Sequence, residues 1–382
     1  MHDVLVDLGW AAGAIAVLGS VYAVVAGLLV TRFFRRRERP AAVLPPVTVL
    51  KPLHGDEPAL RAHLEAFCTQ DYPAPVQIIF GVQDPFDRAI EVVRDLQRRW
   101  PELDLELVVD ERVYGLNRKI SNLVNMESRI RHPVVVMADA DIGVDAGYLA
   151  RVVSPLDDPE MGFVTCTYVG KAMGGVWSDL SAMAVNYHFL PSVAVGVALG
   201  LARPCFGATI AFRKSTLDEI GGFLPLANQL ADDYQIGRAI AAIRPGFALP
   251  SRVVTHACPE GNLGEVTSHE LRWAKTIRTI DPVGFAGSAI THALPWAFLA
   301  AALLRSNDGL IILAVALAAR LFLKRQVDRA TGVSVGAWWL TPQRDILSFA
   351  VFIGAFAARS VSWRGTRLQV SGDGALTSHP GV

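Results

Sequence analysis

The 382-residue chain carries 36 basic and 36 acidic side chains, so no global charge field recruits nucleic acid. A hydrophobic fraction of 52% and a positive mean hydropathy place part of the chain in lipid. The four cysteines, Cys68, Cys166, Cys205 and Cys258, lack CxxC or CxxxC spacing and argue against a disulfide framework or a zinc knuckle.

In chain order, Leu8 to Val30 is a run of about 23 uncharged residues, long enough to span a bilayer. Arginines 32, 35, 36, 37 and 39 follow it, which by the positive-inside rule puts the N-terminus outside and the next domain in the cytoplasm. Residues 1–31 are therefore expected to be a membrane anchor and 32–46 a basic linker. A cleaved signal peptide fits less well, because the basic residues follow the apolar run. From 47 to 281 strand and helix signals alternate. "VTVLKPL" and "VQIIFGV" are short buried-strand runs, with a helical "EPALRAHLEAFCTQ" between them that has Pro58 in its first turn. A helix near Arg88–Trp100 is stopped by Pro101, "LELVV" is a strand, and a helix near Arg118–Ile130 leads into "PVVVMAD". This alternation predicts an α/β domain with a mostly parallel sheet flanked by helices, whose ligands gather at the carboxyl ends of the strands.

The run at 193–202 reads as an amphipathic or interfacial element, since one crossing there would separate acidic positions on either side of it. Three apolar runs near the C-terminus, Gly284–Leu304, Gly309–Leu323 and Ile346–Ala358, predict transmembrane or interfacial helices over 282–360. Lys324, Arg325 and Arg329 after the second suit a return to the cytoplasm; the third, followed by Arg359, Arg364 and Arg367, reads equally as a re-entrant or interfacial hairpin and as a full span. Residues 361–382 form a tail.

The chemistry concentrates where strands end. In "VVVMADADIGV", Asp139 and Asp141 leave the same face of a strand about 6.5–7 Å apart. Two such carboxylates repel, and a Mg²⁺ or Mn²⁺ shared with phosphate oxygens relieves the repulsion. Alone, the pair is also explained by an acidic turn. Asp84 in "GVQDPFD" ends another strand. "GLNRKISNL" brings Asn117, Arg118, Lys119 and Asn122 to a helix start, where donors and positive charge suit a phosphate. Asp232 and Asp233 begin a further helix; capping explains one acid there and leaves the second over. "HELRWAKTIR" adds His269, Arg272, Trp273, Lys275 and Arg278 on one helical stretch.

In this order, the set resembles inverting glycosyltransferases of the GT-A fold with the pattern D, DxD, D, (Q/R)xxRW. More closely it is similar to the ceramide glucosyltransferase family, and within it to bacterial hopanoid-biosynthesis glycosyltransferases. "LKPLHGDEP", "FCTQDYP", "GLNRKISNL", "RPCFGATIAFRK", "ADDYQIG", "HELRWAKTIRTIDP" and "VSWRG" carry the likeness, from about Val47 to Gly365. One position departs: His269 stands where the pattern has Gln or Arg. The resemblance implies that Asp84 holds the uracil end of a UDP-sugar, Asp139 the nucleotide and Asp141, with Asp139, the divalent metal. It implies Asp233 as catalytic base, Arg272 and Trp273 closing over diphosphate and sugar, and Asn117, Lys119 and His269 as further donor contacts, with His256 an extra ligand. The implied reaction moves a sugar from UDP to a lipid hydroxyl in the inner (cytoplasmic) membrane, the enzyme being multi-pass with its catalytic domain in the cytoplasm. N-acetylglucosamine onto a hopanoid polyol is the first expectation, and glucose onto ceramide the second. A haloacid-dehalogenase-type phosphatase also uses Asp–x–Asp after a parallel strand, but leaves Asp84 and "HELRW" unexplained.

Overall fold

The computed structural model describes residues 2–38, 41, 43–55, 57 and 59–357, with backbone alone at 361–363, 366–370 and 376–378. Arg39, Pro58, Arg359, Arg364 and most of the C-terminal tail lie outside the described residues. In chain order the elements begin with α1 (His2–Phe34), β1 (Val47–Pro52), α2 (Leu60–Cys68), β2 (Val76–Val82), α3 (Ala89–Arg99), β3 (Asp104–Val109), α4 (Arg118–Glu127) and β4 (Val134–Met137). There follow β5 (Ile142–Gly143), α5 (Tyr148–Val153), β6 (Met161–Thr165), β7 (Tyr168–Ala172), α6 (Gly175–Ala184), α7 (Leu190–Ala198), β8 (Ile210–Arg213), α8 (Lys214–Glu219), α9 (Asp232–Ile243), β9 (Gly246–Ala248) and β10 (Val254–Cys258). The last helices are α10 (Leu263–Ile280), α11 (Pro282–Gly287), α12 (Ala293–Leu304), α13 (Asn307–Thr331) and α14 (Thr341–Ala357). They group into two compact units. One comprises Met1–Arg36, Val169–Ala202 and Cys258–Asp373, the other Arg37–Tyr168, Arg203–Ala257 and Gly374–Val382. The continuous domain expected over 47–281 is thus interrupted, because the apolar stretch 169–202 and the "HELRW" helix belong to the helical unit.

The main sheet of the sheet unit has seven strands in the order β3-β2-β1-β4-β8-β6-β9. β1 pairs in parallel with β2 and β4, β2 with β3, and β6 with β9. β8 alone runs against its neighbours β4 and β6, so the sheet is mostly parallel, as the alternation predicts. Strand residues feed two cores in turn. Ile78, Phe80 and Val82 pack with Leu60, Leu64 and Phe67 of α2 and Val93 and Leu96 of α3, while Ile79 packs with Ile120, Leu123 and Met126 of α4. Burial on both faces explains why "VQIIFGV" shows no alternation. The strand order reverses between β1 and β4, where such sheets open a crevice at their carboxyl ends.

The helical unit is built on a stripe of small residues. Ala12, Ala16, Ala23 and Ala26 of α1 are buried, and a side chain at Gly9 would meet Leu304, one at Gly13 Ile312, and one at Gly27 Phe322 and Gln326. Small residues at this spacing let helix backbones approach closely. The contacts make α12 antiparallel and α13 parallel to α1. Among the described residues, two helical stretches are long and apolar enough to cross a membrane, Asp3–Phe34 and Gly175–Ala198. The three C-terminal runs do not yield simple spans. The first is broken by 58° between Pro282–Thr291 and Ala293–Leu304, α14 has only 17 residues, and α13 carries charges. Two of those charges are turned inward: Arg320 donates twice to Asp345, at 2.7 Å each, and Lys324 lies 3.1 Å from Asp328. The helix spanning 175–198 exceeds the interfacial element expected at 193–202. However, β6 before it and β8 after it pair in one sheet, so it cannot cross once. The irregular stretch 199–209 would leave its backbone unsatisfied if it recrossed lipid.

Candidate active site

Within the sheet unit, β4 ends at Met137 and the chain turns through Asp139 and Asp141 into β5, which pairs with β10. Lys119, from the first turn of α4, lies 2.5 Å from Asp139 Oδ1 and 3.0 Å from Asp232 Oδ2. Gly207 ties the same groups through its peptide. Its N–H donates to Asp233 Oδ2 at 3.0 Å, and its carbonyl accepts the Asp139 N–H at 3.2 Å. A Cβ at Gly207 would come within 2.7 Å of Asp139 Oδ2 and 3.0 Å of Lys119 Nζ, so only glycine fits without a shift. Asp141 Oδ2 lies 3.1 Å from His256 Nδ1, placed by the pairing of His256 with Ile142. Beneath them, Lys51 at the end of β1 is fully buried, donates to the Asp139 carbonyl and sits 4.2 Å from the Phe67 ring centroid. Tertiary contacts thus gather Asp139, Asp141, Asp232 and Asp233, which the sequence spreads over some ninety positions.

Electrostatics sort the acids. Burial pushes the Asp233 carboxyl up to about 6, helped by the Asp232 charge and opposed by Lys119 and two backbone donors. Burial also works against the Asp141 charge, but the hydrogen bond and charge of His256, with Lys51, bring it down to about 2. Burial lowers Lys51 to about 7 against the pull of Asp139 and Asp141. Lys119 suffers the same desolvation, yet Asp139 and Asp232 outweigh it and hold the ammonium above its ordinary range. One carboxylate is therefore kept firmly ionised and another is poised to exchange a proton near neutrality.

Among the described residues, no group of three or more His, Cys, Asp or Glu is disposed to hold a metal ion. Asp141 and His256 offer two adjacent donors, and Mg²⁺ or Mn²⁺ keeps coordination positions for water and phosphate oxygens. The donor set fits an ion shared with a bound diphosphate, not one caged by protein alone. Asp139, expected as a second ligand, has its carboxylate engaged by Lys119. Asn117 differs from expectation as well. It is fully buried, caps α4 by accepting the Ile120 N–H at 3.0 Å, and donates to the Gln229 carbonyl at 2.8 Å. Asp84 lies on an exposed turn after β2, where its Oδ1 accepts the Phe86 N–H at 2.9 Å.

His269, Arg272 and Trp273 lie on α10, in the helical unit. His269 Nδ1 is 2.5 Å from Glu260 Oε1, and its ring meets the Trp273 ring edge-on at 4.4 Å between centroids. Glu260 is buried. Arg344 of α14 donates to both Glu270 oxygens at 2.7 Å, fixing the same helix. Lys51, Gly207 and Glu260 escaped assignment from the sequence. Lys51 and Gly207 stand in quoted motifs, but nothing in the pattern says what they touch.

A model of glycosyl transferase family 21 matches residues 12–376. The chain belongs to that family. Ceramide glucosyltransferase 1 of Caenorhabditis elegans is 28% identical over 204 residues, 53% of this chain and 43% of that protein. Ceramide glucosyltransferase 3 of the same organism is 25% identical over 233 residues, 61% of this chain and 50% of that protein. The chain therefore spans about half the length of the curated relatives it matches. Among solved structures, a mannosyltransferase from Pyrobaculum calidifontis in complex with GDP-Man and Mn²⁺ superposes with a TM-score of 0.52 at 22% identity, covering 90% of this chain and 99% of that one. That likeness shows the shared fold, a GT-A-like mixed α/β arrangement. The enzyme class expected from the motifs, a glycosyltransferase, is the class of the family, and the phosphatase reading falls with it.

Proposed function

We propose that this family 21 protein is a membrane-bound inverting glycosyltransferase that moves a sugar from a UDP-sugar to the hydroxyl of a membrane lipid. The observation that carries the reading is the acid cluster drawn together by Lys119 and the Gly207 peptide. Its four carboxylates outnumber the cations around them, so a bare diphosphate would be repelled and a divalent cation reconciles the two. Such an ion, held by Asp141 and His256, would supply charge stabilisation to the departing diphosphate. Asp233 is the base: its raised carboxyl takes the acceptor's hydroxyl proton as the new bond forms. Direct attack by that hydroxyl inverts the anomeric centre. Asp232 and Lys119 orient Asp139 and keep the cluster compact. Asp84 as uracil contact, and Arg272, Trp273 and His269 as diphosphate and sugar contacts, rest on the motif pattern.

The basic residues after α1 support an inner-membrane protein with its catalytic domain in the cytoplasm, and a multi-pass arrangement rests on the bent pair Pro282–Thr291 and Ala293–Leu304 acting as a broken span. For the substrates, glucose onto ceramide is better supported than N-acetylglucosamine onto a hopanoid polyol. The two curated relatives described above are ceramide glucosyltransferases, whereas the hopanoid reading rests on motif likeness alone. Membranes containing the protein, given labelled UDP-glucose or UDP-N-acetylglucosamine with each lipid, should yield a single labelled lipid identifiable by mass spectrometry. Asp141→Ala should abolish that label while the protein stays folded in the membrane. Sugar transfer at the native rate in Asp141→Ala would remove the ion-binding role.

A further inference from the structure

The turn between α13 and α14 exposes two large aromatic side chains, Trp338 at 65% and Trp339 at 54%. Leaving two half-exposed indoles in water forgoes the burial of a large apolar surface, and the turn is not slack. The Val335 carbonyl accepts from Lys324 Nζ at 3.0 Å, its N–H donates to Tyr187 Oη at 3.1 Å, and Leu340 is buried. The buried Tyr187 and Lys324, which both bond to Asp328, therefore fix this turn.

Helix register gives the depth of the turn within the helical unit. α13 runs parallel to α1, with Gln326 beside Gly27 and Thr31. Thr331, the last residue of α13, is thus about level with Phe34 at the end of α1, at a rise of 1.5 Å per residue. The exposed Arg325 and Arg329 of α13 stand level with the end of the apolar run of α1 and the exposed Arg32 and Arg35 that follow it. Val335, three residues before the first indole, is tied to Lys324, which sets this turn near the level where the apolar run gives way to arginine. Tryptophan is favoured at that level of a bilayer, with its ring among acyl chains and its N–H among headgroups.

We propose that Trp338 and Trp339 form an interfacial anchor, seated at the headgroup–acyl boundary of the leaflet facing the basic end of α1. The inference rests on α1 crossing the bilayer, and the test separates the two. The full chain, in phosphatidylcholine vesicles with bromine placed near the headgroup or near the chain end, is compared with Trp338→Phe/Trp339→Phe by tryptophan fluorescence. Two of the eight tryptophans are removed, so about a quarter of the emission should disappear, and the lost component should be the one quenched more by shallow than by deep bromine. Quenching by aqueous iodide and by neither bromolipid would overturn the anchor, as would protection that appears only at high protein-to-lipid ratio and so reports a second copy. Trp10 of α1 remains as an internal probe. If neither protein is quenched by bromolipid, the membrane reading of α1 fails; if both are quenched equally, only the anchor fails. Should the double variant not fold, Trp339→Phe alone reads the same component at half amplitude.

Discussion

Both units bury charge, but they do it by different rules. In the helical unit, acids and bases meet as matched pairs: Arg320 with Asp345, Lys324 with Asp328, Arg344 with Glu270. In the sheet unit four aspartates crowd around Lys119, Lys51 and His256, with negative charge in surplus. Matched pairs satisfy themselves and hold helices together where water is scarce. A surplus leaves work for something that is not protein. Paired charges should therefore matter to folding and unpaired acids to chemistry.

The sharpest way to break that comparison is Asp233→Asn. Losing the proposed base should cut the proposed sugar transfer by about a hundred- to ten-thousand-fold. Because its folded carboxyl is raised to about 6 from the ordinary carboxylate range, ionised Asp233 weighs against folding above pH 6. The variant should therefore unfold at a higher temperature than the parent at neutral pH. In the parent, transfer should fall tenfold per pH unit below about 6 as the base is protonated. A rate that stays flat down to pH 5 would remove Asp233 from that role.

Asp345→Ala should do the opposite. It strands the buried Arg320 guanidinium, which costs about 3–5 kcal/mol, so denaturation midpoints should drop while the folded fraction keeps its turnover. A stable variant with reduced turnover would erase the distinction between the units. Gly207→Ala tests geometry without altering charge. Its methyl would press on Asp139 and Lys119, and transfer should fall about ten- to a hundredfold with little change in stability. The smallest effect belongs to Glu260→Gln. It weakens a hydrogen bond to His269 and loosens the packing on Trp273, raising the donor KM about three- to tenfold with kcat nearly kept.

Much of the sheet unit was legible in the chain. "VQIIFGV" and "PVVVMAD" fall on β2 and β4, because a strand buried on both faces must be apolar throughout, and Asp139 and Asp141 stand where that strand stops. The helical unit was harder. Hydropathy counts the charges of α13 without knowing that Arg320 and Lys324 face inward to partners on α14 and within α13. It also credits residues 175–198 with a crossing that the pairing of β6 with β8 forbids. Asn117 looked like a phosphate donor at a helix start, and capping with burial claimed it.

Local composition determined the alternating elements, the apolar first helix with its basic border, and the residue types available for the proposed chemistry. Those are short-range matters, governed by periodicity and by which side chains tolerate water. Tertiary packing alone decided that Lys119 bridges Asp139 to Asp232, that the Gly207 peptide ties Asp139 to Asp233, and that Glu260 grips His269. Each of these joins atoms whose separation along the chain carries no information about their distance in space, and a carboxyl group takes its proton affinity from such neighbours.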